Sequence, residues 1–326
     1  MDFALDDTQQ AVAALTREIL TREPDPDSAW KALAQAGLLA GDGLGVMETA
    51  VVLTEVGRVA APLPAFSTLA LGVLPIAHHG SSEQQEILAQ VATGEHRLTA
   101  ALRASVTCDE GRLSLTGRGE GVLHRTLSGR AVGVPDAASA FRILVPVGDT
   151  VFLVSPDDTT LTRTYSAGGT PEYTVVLDGT PGEALCATAA LQRFAVAGAC
   201  GYGDGLLAGA LDLTATHIRT REQFGKPLAT FQAVAQQIAD VYISARTLHL
   251  AAWSAIWRLA HDKDPDSDLD VAAYWLAEEA MPALHTCHHL HGGVGVDVSY
   301  PLHRFYSAIK DLVRQLGGVE RRLAEV

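Results

Sequence analysis

Basic residues are scarce in this chain, and so are cysteine, methionine and aromatic side chains. Lys and Arg number 24 against 38 Asp and Glu, a formal net charge of −14 over 326 residues. That deficit excludes nucleic acid as the expected partner, because phosphate backbones need a clustered basic surface. A few local cations still suffice for a small anionic ligand. Cys108, Cys186, Cys200 and Cys287 are widely spaced and form no CxxC pair, so they read as reduced, mostly buried thiols of a cytoplasmic protein. No apolar run reads as long enough to span a bilayer, and no membrane association is expected. The opening Met1-Asp2-Phe3-Ala4-Leu5-Asp6-Asp7 is acidic and lacks a signal-peptide pattern. Neither a GxSxG elbow nor a Cys-His nucleophile pattern occurs. What is present is a hydrophobic share of 48%, enough for a large globular core and too much for a disordered chain.

The pattern of apolar residues changes twice along the chain. The first part predicts helices over Asp7–Leu20, from an Asp27-Ser28 cap to Leu39, over Glu48–Val59 and over Phe66–Ala77, with Pro62 and Pro64 as breakers. Ser81-Ser82-Glu83 suggests the cap of a further helix reaching Ala92. Short alternating segments then predict strands at Arg112–Thr116, Phe141–Val145, Val151–Val154 and Tyr173–Leu177, as in a small antiparallel sheet or barrel. Helices return at Thr188–Thr220, at Phe231–Ala260 with Thr230 as its cap, at Asp268–His289 and at Tyr300–Leu316. The expected organisation is α+β: an N-terminal helical domain over 1–97, a central β domain over 98–183 and a C-terminal helical bundle over 184–326.

Two segments carry chemistry. The first is Arg221-Glu222-Gln223-Phe224-Gly225-Lys226-Pro227-Leu228, running into Phe231-Gln232. Arg221 offers a planar fork for phosphate oxygens, Phe224 an apolar plate, and Gly225 a sharp turn out of the preceding helix. The second is His288-His289-Leu290-His291-Gly292-Gly293-Val294-Gly295, where glycines let a ligand approach the backbone closely. Taken singly, Arg221 reads as a solvated helix-end cation and Phe224 as a core aromatic; their combination and spacing carry the signal.

Together with the order of helical, β and helical regions, these segments resemble the acyl-CoA dehydrogenase family over essentially the whole chain, most specifically from Ala197 onward. Within it the chain looks like the short subunit of bacterial heteromeric dehydrogenases of steroid side-chain CoA thioesters, notably in the run Tyr300-Pro301-Leu302-His303-Arg304-Phe305-Tyr306 to Lys310-Asp311. The resemblance implies FAD, with Arg221, Gln223, Phe224, Gln232, His289, Gly292 and Gly293 touching a flavin seated mainly in a partner subunit. His289 stands where relatives carry Gln; either hydrogen-bonds the adenosine-pyrophosphate half.

The departures matter as much. Relatives keep a catalytic Glu either in a Tyr-Glu-Gly-Thr pattern or in a Leu-Glu-Arg pattern. The matching stretches here are Arg314-Gln315-Leu316-Gly317-Gly318 and Leu191-Gln192-Arg193. Neither Leu316 nor Gln192 accepts a proton at physiological pH, and general-base catalysis typically contributes about 10²–10⁴-fold. The Thr-Glu-Pro, Gly-Ser-Asp and Trp-Ile-Thr signatures that hold the flavin ring are also missing; the chain has Thr99-Ala100-Ala101-Leu102-Arg103-Ala104-Ser105 and no matching Trp. The implied partner is a longer homologous subunit carrying the Glu, in an α2β2 heterotetramer acting on an acyl-CoA, with electron-transfer flavoprotein as acceptor. An active homo-oligomer with an unrecognised base, and a scaffold that binds no flavin, stay open. Of the weaker signals, the His285, His288, His289 and His291 cluster lacks a carboxylate at ligand spacing and reads as no metal site. Gly41-Asp42-Gly43-Leu44-Gly45 reads as a loop between helices, Gly201, Gly203 and Gly205 as close helix packing, and Asp262–Asp270 as a solvated acidic loop.

Overall fold

Asp25 sets the start of the second helix: its carboxylate accepts the Ser28 N–H at 2.9 Å, and that bond holds its pKa below the usual value. Pro26 follows as the first helical residue, so the helix begins before the expected Asp27-Ser28 cap. The structure, a computed structural model, describes residues 5–41, 44–109, 112–115 and 121–325. The first four residues of the acidic N-terminus, Asp42 and Gly43 of the glycine loop, and Thr116 lie outside the described residues. The opening helices are α1 (Asp7–Arg22), α2 (Pro26–Gln35), α3 (Val46–Arg58), α4 (Leu74–His79) and α5 (Ser82–Ala92). The helix expected over Phe66–Ala77 is π-helical from Phe66 to Val73 and becomes α4 where Pro75, without an N–H to donate, breaks the register. Ser81 and Gln84 close a reciprocal capping box on α5.

The β region holds β1 (Arg97–Ala100), β2 (Ala104–Cys108), β3 (Arg112–Leu115), β4 (Gly121–Pro135), β5 (Ala140–Val147), β6 (Thr150–Val154), β7 (Thr160–Thr164) and β8 (Glu172–Ala187). They form one sheet in the order β1-β5-β6-β8-β4-β2, with β3 on β4 and β7 on β8. Pairing is antiparallel except for β1 with β5. Leu127, Ala131, Ile143, Val145, Phe152, Val154, Val175 and Leu177 fill its core.

The C-terminal helices are α6 (Thr188–Thr220), α7 (Gln232–Ala260), α8 (Asp266–His291), α9 (Leu302–Gln315) and α10 (Gly318–Glu325). Thr230 does not cap α7. Its hydroxyl bonds the Pro227 carbonyl and closes a 3-10 turn over Leu228–Thr230, while Phe231 occupies the cap position without a side-chain bond. One expectation fails on length: α6 is long and apolar enough to cross a bilayer. The most apolar 18-residue window of α6 is 83% buried within the protein, so its apolar surface faces other side chains.

The chain divides into two compact units. One holds Ala14–Thr49 and Pro62–Gly198; the other holds the described parts of Met1–Ala13, Ala50–Ala61 and Ala199–Val326. In the second, α3 lies against α6 so closely that a methyl group at Gly205 would strike the Thr54 carbonyl and one at Gly57 the Tyr202 carbonyl. The buried Asp204 carboxylate is satisfied by Trp253 Nε1 at 3.0 Å and His249 Nδ1 at 2.9 Å, both on α7.

Candidate functional site

Arg221 leaves the end of α6, its N–H bonded to the His217 carbonyl at 2.8 Å and its own carbonyl accepting from Leu228 at 2.9 Å. Between those bonds the chain makes a two-residue hairpin in which Gln223 pairs with Lys226 and Glu222 with Pro227. The tip is Phe224-Gly225, and both residues take positive φ, 52° and 78°. Glycine does this freely; for phenylalanine it costs free energy. The strained Phe224 ring is 92% exposed. Its one ring contact among the described residues is edge-on with Phe231, whose own face carries Lys226 Nζ at 4.4 Å. A large apolar ring held outward on a strained tip is an arrangement suited to a ligand or partner surface. Arg221 is exposed and pairs with no carboxylate among the described residues, while Gln223 donates to the Glu222 carbonyl and Gln232 is exposed at the start of α7.

The second segment ends α8. Gly292 caps the helix at φ 60°, ψ −137°, with its N–H directed to the His288 and His289 carbonyls. Gly292 and Gly293 are exposed, and a methyl group built on either meets nothing within 4 Å, as at Gly225. His289 is exposed beside them. The structure joins the two segments through rings that were not among the expected flavin contacts: His217, which the sequence did not single out, stacks on His291 with centroids 4.3 Å apart and planes 22° apart. His291 is 4% exposed, with Nδ1 on the Cys287 carbonyl at 2.8 Å and Nε2 on the Tyr300 hydroxyl at 3.0 Å. Burial first, then neighbouring histidines, holds the His291 pKa below the ordinary value; burial and then Arg221 do the same at His217. The one available signal was the four-residue spacing of His217 and Arg221, which puts them on one helix face.

Of the other histidines in the cluster, His285 is bonded locally and His288 keeps a buried Nε2 without a hydrogen-bond partner. His285 Nε2 meets the Tyr306 hydroxyl at 3.1 Å, and His288 turns its edge to the Tyr306 ring. Among the described residues no group of three or more His, Cys, Asp or Glu is placed to hold a metal ion. Three of the four thiols are held protonated by burial, which pushes Cys200 up to about 12 and Cys186 and Cys287 up to about 11.

Neither expected base position offers a carboxylate. Gln192 is exposed in the first half of α6, and Leu316, 3% exposed, ends α9 with its carbonyl accepting from Arg322 Nε at 2.8 Å. In the β region Thr99, Ala100 and Ala101 are fully buried, and the Thr99 hydroxyl is turned onto the Pro135 carbonyl at 2.7 Å. The four tryptophans are Trp30, Trp253, Trp257 and Trp275, so the sheet contains none. The same unit holds a cleft of about 420 Å³ lined by Pro64, Arg97, Asp136, Ser139 and Tyr173 among others. None of the residues expected to touch flavin lines it.

Fitness for FAD can be tested on the exposed elements. The pyrophosphate needs a free cation and open backbone donors, and the rings need an apolar plate. Arg221, the bare Gly225, Gly292 and Gly293, and the outward Phe224 ring meet those needs for one end of the molecule. Comparison with known proteins agrees. Residues 5–95 match the acyl-CoA dehydrogenase N-terminal domain and residues 185–320 the acyl-CoA dehydrogenase C-terminal domain. The chain is 45% identical to acyl-CoA dehydrogenase FadE28 of Mycobacterium tuberculosis, over 99% of this chain and 97% of that one. Among solved structures, the Tcur3481-Tcur3483 steroid ACAD variant superposes with a TM-score of 0.87 at 33% identity, covering 98% of this chain and 96% of the other. The ChsE4-ChsE5 complex from Mycobacterium tuberculosis gives 0.88 at 30% identity, covering 99% and 97%. From its two terminal domains to its paired hairpin and glycine segments, this chain belongs to the acyl-CoA dehydrogenase family of FAD-dependent oxidoreductases.

Proposed function

We propose that this chain is the base-less subunit of a heteromeric acyl-CoA dehydrogenase that introduces an α,β double bond into a steroid side-chain CoA thioester. The observation that carries the reading is the double replacement: Gln192 and Leu316 stand at both places where relatives hold the catalytic Glu. The partner is a longer homologue that supplies the Glu and the seat for the flavin ring, in an α2β2 assembly. The similarity to two-component steroid enzymes supports the heteromeric and steroid parts. The turning-in of Thr99 and the absence of tryptophan from the sheet support a missing ring seat in this chain.

In this reading residues 184–326 do the work. Arg221 holds the pyrophosphate, Gly292 and Gly293 admit it to the backbone, and Gln223, Gln232 and His289 hydrogen-bond the adenosine half. Phe224 covers an apolar ring and keeps water from it. FAD, when bound, supplies the acceptor for the β-hydrogen and its electron pair. The α-proton goes to the partner's Glu, because nothing at Gln192 or Leu316 takes it. Electron-transfer flavoprotein is the external acceptor that this reading would assign.

The test is co-expression with the longer homologue. Yellow protein and oxidation of a steroid side-chain CoA ester are expected only from the complex. Arg221→Ala removes a charge-assisted pair worth about 1.5–3 kcal/mol, so FAD affinity of the complex should fall on the order of tenfold to a hundredfold. A single chain that is itself yellow and active, or a complex indifferent to Arg221→Ala and His289→Ala, defeats the proposal. Faster turnover of short fatty acyl-CoA would sink the steroid part alone.

A further inference from the structure

We propose that His217 and His291, locked by Tyr300, form a positioning couple that sets the spacing between the two flavin-contacting segments; this rests on the half-site reading above. The path is continuous. The Arg221 N–H is bonded to the His217 carbonyl, the His217 ring lies 4.3 Å from the His291 ring, and His291 is joined directly to Gly292. The cation that meets phosphate and the glycines that open the backbone are thereby referred to one pair of rings.

Packing alone does not call for this arrangement. A leucine at position 291 would fill the same buried volume without polar atoms to satisfy. The imidazole instead is fixed at both ends. A carbonyl only accepts, so Nδ1 carries the proton and donates to Cys287; Nε2 then accepts from the Tyr300 hydroxyl. Two bonds on opposite sides of the ring, with a stacked neighbour on its face, leave one orientation. The Gly292–Val296 turn folds back on the same residue: a methyl group at Gly295 would stand 3.0 Å from His291 Cβ and 3.2 Å from the His288 carbonyl oxygen. Tyr300 reaches the couple from beyond that turn, so its hydroxyl ties both ends of the turn to one ring.

Neither histidine ring need touch FAD for the couple to act, because residues that orient contacting groups typically change ligand affinity roughly tenfold or more when removed. The experiment uses the complex stripped of FAD and titrated with FAD, with amide hydrogen exchange on the full chain alone as a readout that needs no flavin. Tyr300→Phe removes one hydroxyl and keeps the ring. His217→Ala removes the stacked plate, and His217→Phe restores it. FAD affinity is expected to fall roughly tenfold in Tyr300→Phe and His217→Ala and to recover in His217→Phe. Exchange at Gly292–Val296 should quicken in the first two variants only. If Arg221→Ala weakens FAD while Tyr300→Phe and His217→Ala match the native complex, the couple is wrong and the half-site stands. If Arg221→Ala is without effect on FAD but exchange still quickens, the half-site is wrong and the rings only hold the turn. Equal weakening in His217→Ala and His217→Phe also overturns the stacking role.

Discussion

Asp136 carries two disfavoured choices at once. It takes φ 55°, a left-handed conformation that asparagine and glycine tolerate better, and its carboxyl is buried to 7% exposure. Burial raises its pKa, opposed by the Ser67 hydroxyl at 2.8 Å and by Arg97, and assisted by Glu172. The sign of the pH effect follows. A carboxyl whose folded pKa lies above its unfolded value binds more protons when folded, so it weakens the fold at neutral pH and the penalty fades as pH falls through the folded pKa. Asp136→Asn keeps an oxygen for Ser67, suits the backbone and removes the charge. Its melting temperature should exceed that of the native chain at pH 7, with the gap closing toward pH 4. A gap that is constant or that widens on acidification would show that the carboxyl is not the cause. Nothing in the sequence pointed to this residue, because its burial comes from Ser67 and Pro171, far away along the chain. Arg221, Gln223, Phe224, Gly292 and Gly293 could be proposed as flavin contacts from the sequence for the opposite reason: the signal they carry lies in local spacing.

Helices with a strong apolar period could be read element by element. Thr188–Thr220 spans α6 without adjustment, and the Ser81 cap is where local residue order put it. The sheet was less accessible: β1, β2, β4 and β7 were not expected as strands, β1 pairs in parallel with β5 across some forty residues, and β8 extends well past the expected Tyr173–Leu177. The π-helical stretch and α10 escaped because their backbone register depends on packing and on consecutive left-handed glycines, Gly317 and Gly318. The expectation that Gly201, Gly203 and Gly205 serve helix packing gives a prediction with contrasting outcomes. Gly205→Ala gains about 1 kcal/mol of helix propensity, but the new methyl meets the Thr54 carbonyl and the Arg58 amide, backbone atoms that cannot yield without parting α3 from α6. Overpacking of that kind costs about 1–3 kcal/mol, so the net effect is a lower melting temperature. At Gly203 the obstacle is Leu276 Cδ1 at 2.5 Å, the end of a flexible side chain, and Gly203→Ala should melt close to the native chain. Equal melting of the two variants would remove the distinction between backbone and side-chain contact.

In the proposed reading the molecule as a whole presents one end of a cofactor cradle and leaves the other to its partner. Phe224 at 92% exposure, on the hairpin that follows Arg221, and Val296 at 75% and Val298 at 82%, just after the open glycines in the chain, are apolar groups left in water. A monomer gains nothing from that arrangement, whereas a chain that completes its neighbour's site needs it. On this view the missing carboxylate is one of two deficits, and repairing it alone accomplishes little. Gln192 is exposed and nearly isosteric with glutamate, so Gln192→Glu should fold and melt like the native chain. Leu316 is 3% exposed, and Leu316→Glu would bury an unpaired charge and destabilise the fold by several kcal/mol. The isolated Gln192→Glu chain is expected to remain colourless and to leave acyl-CoA unoxidised, because the proposed reading gives the ring seat to the partner and the Thr99 hydroxyl here is already spent on the Pro135 carbonyl. The reading is checked by absorbance in the flavin band and by single-turnover assays with added FAD. Turnover by that variant without a partner would mean that this chain seats the flavin ring itself and that only its base had been lost.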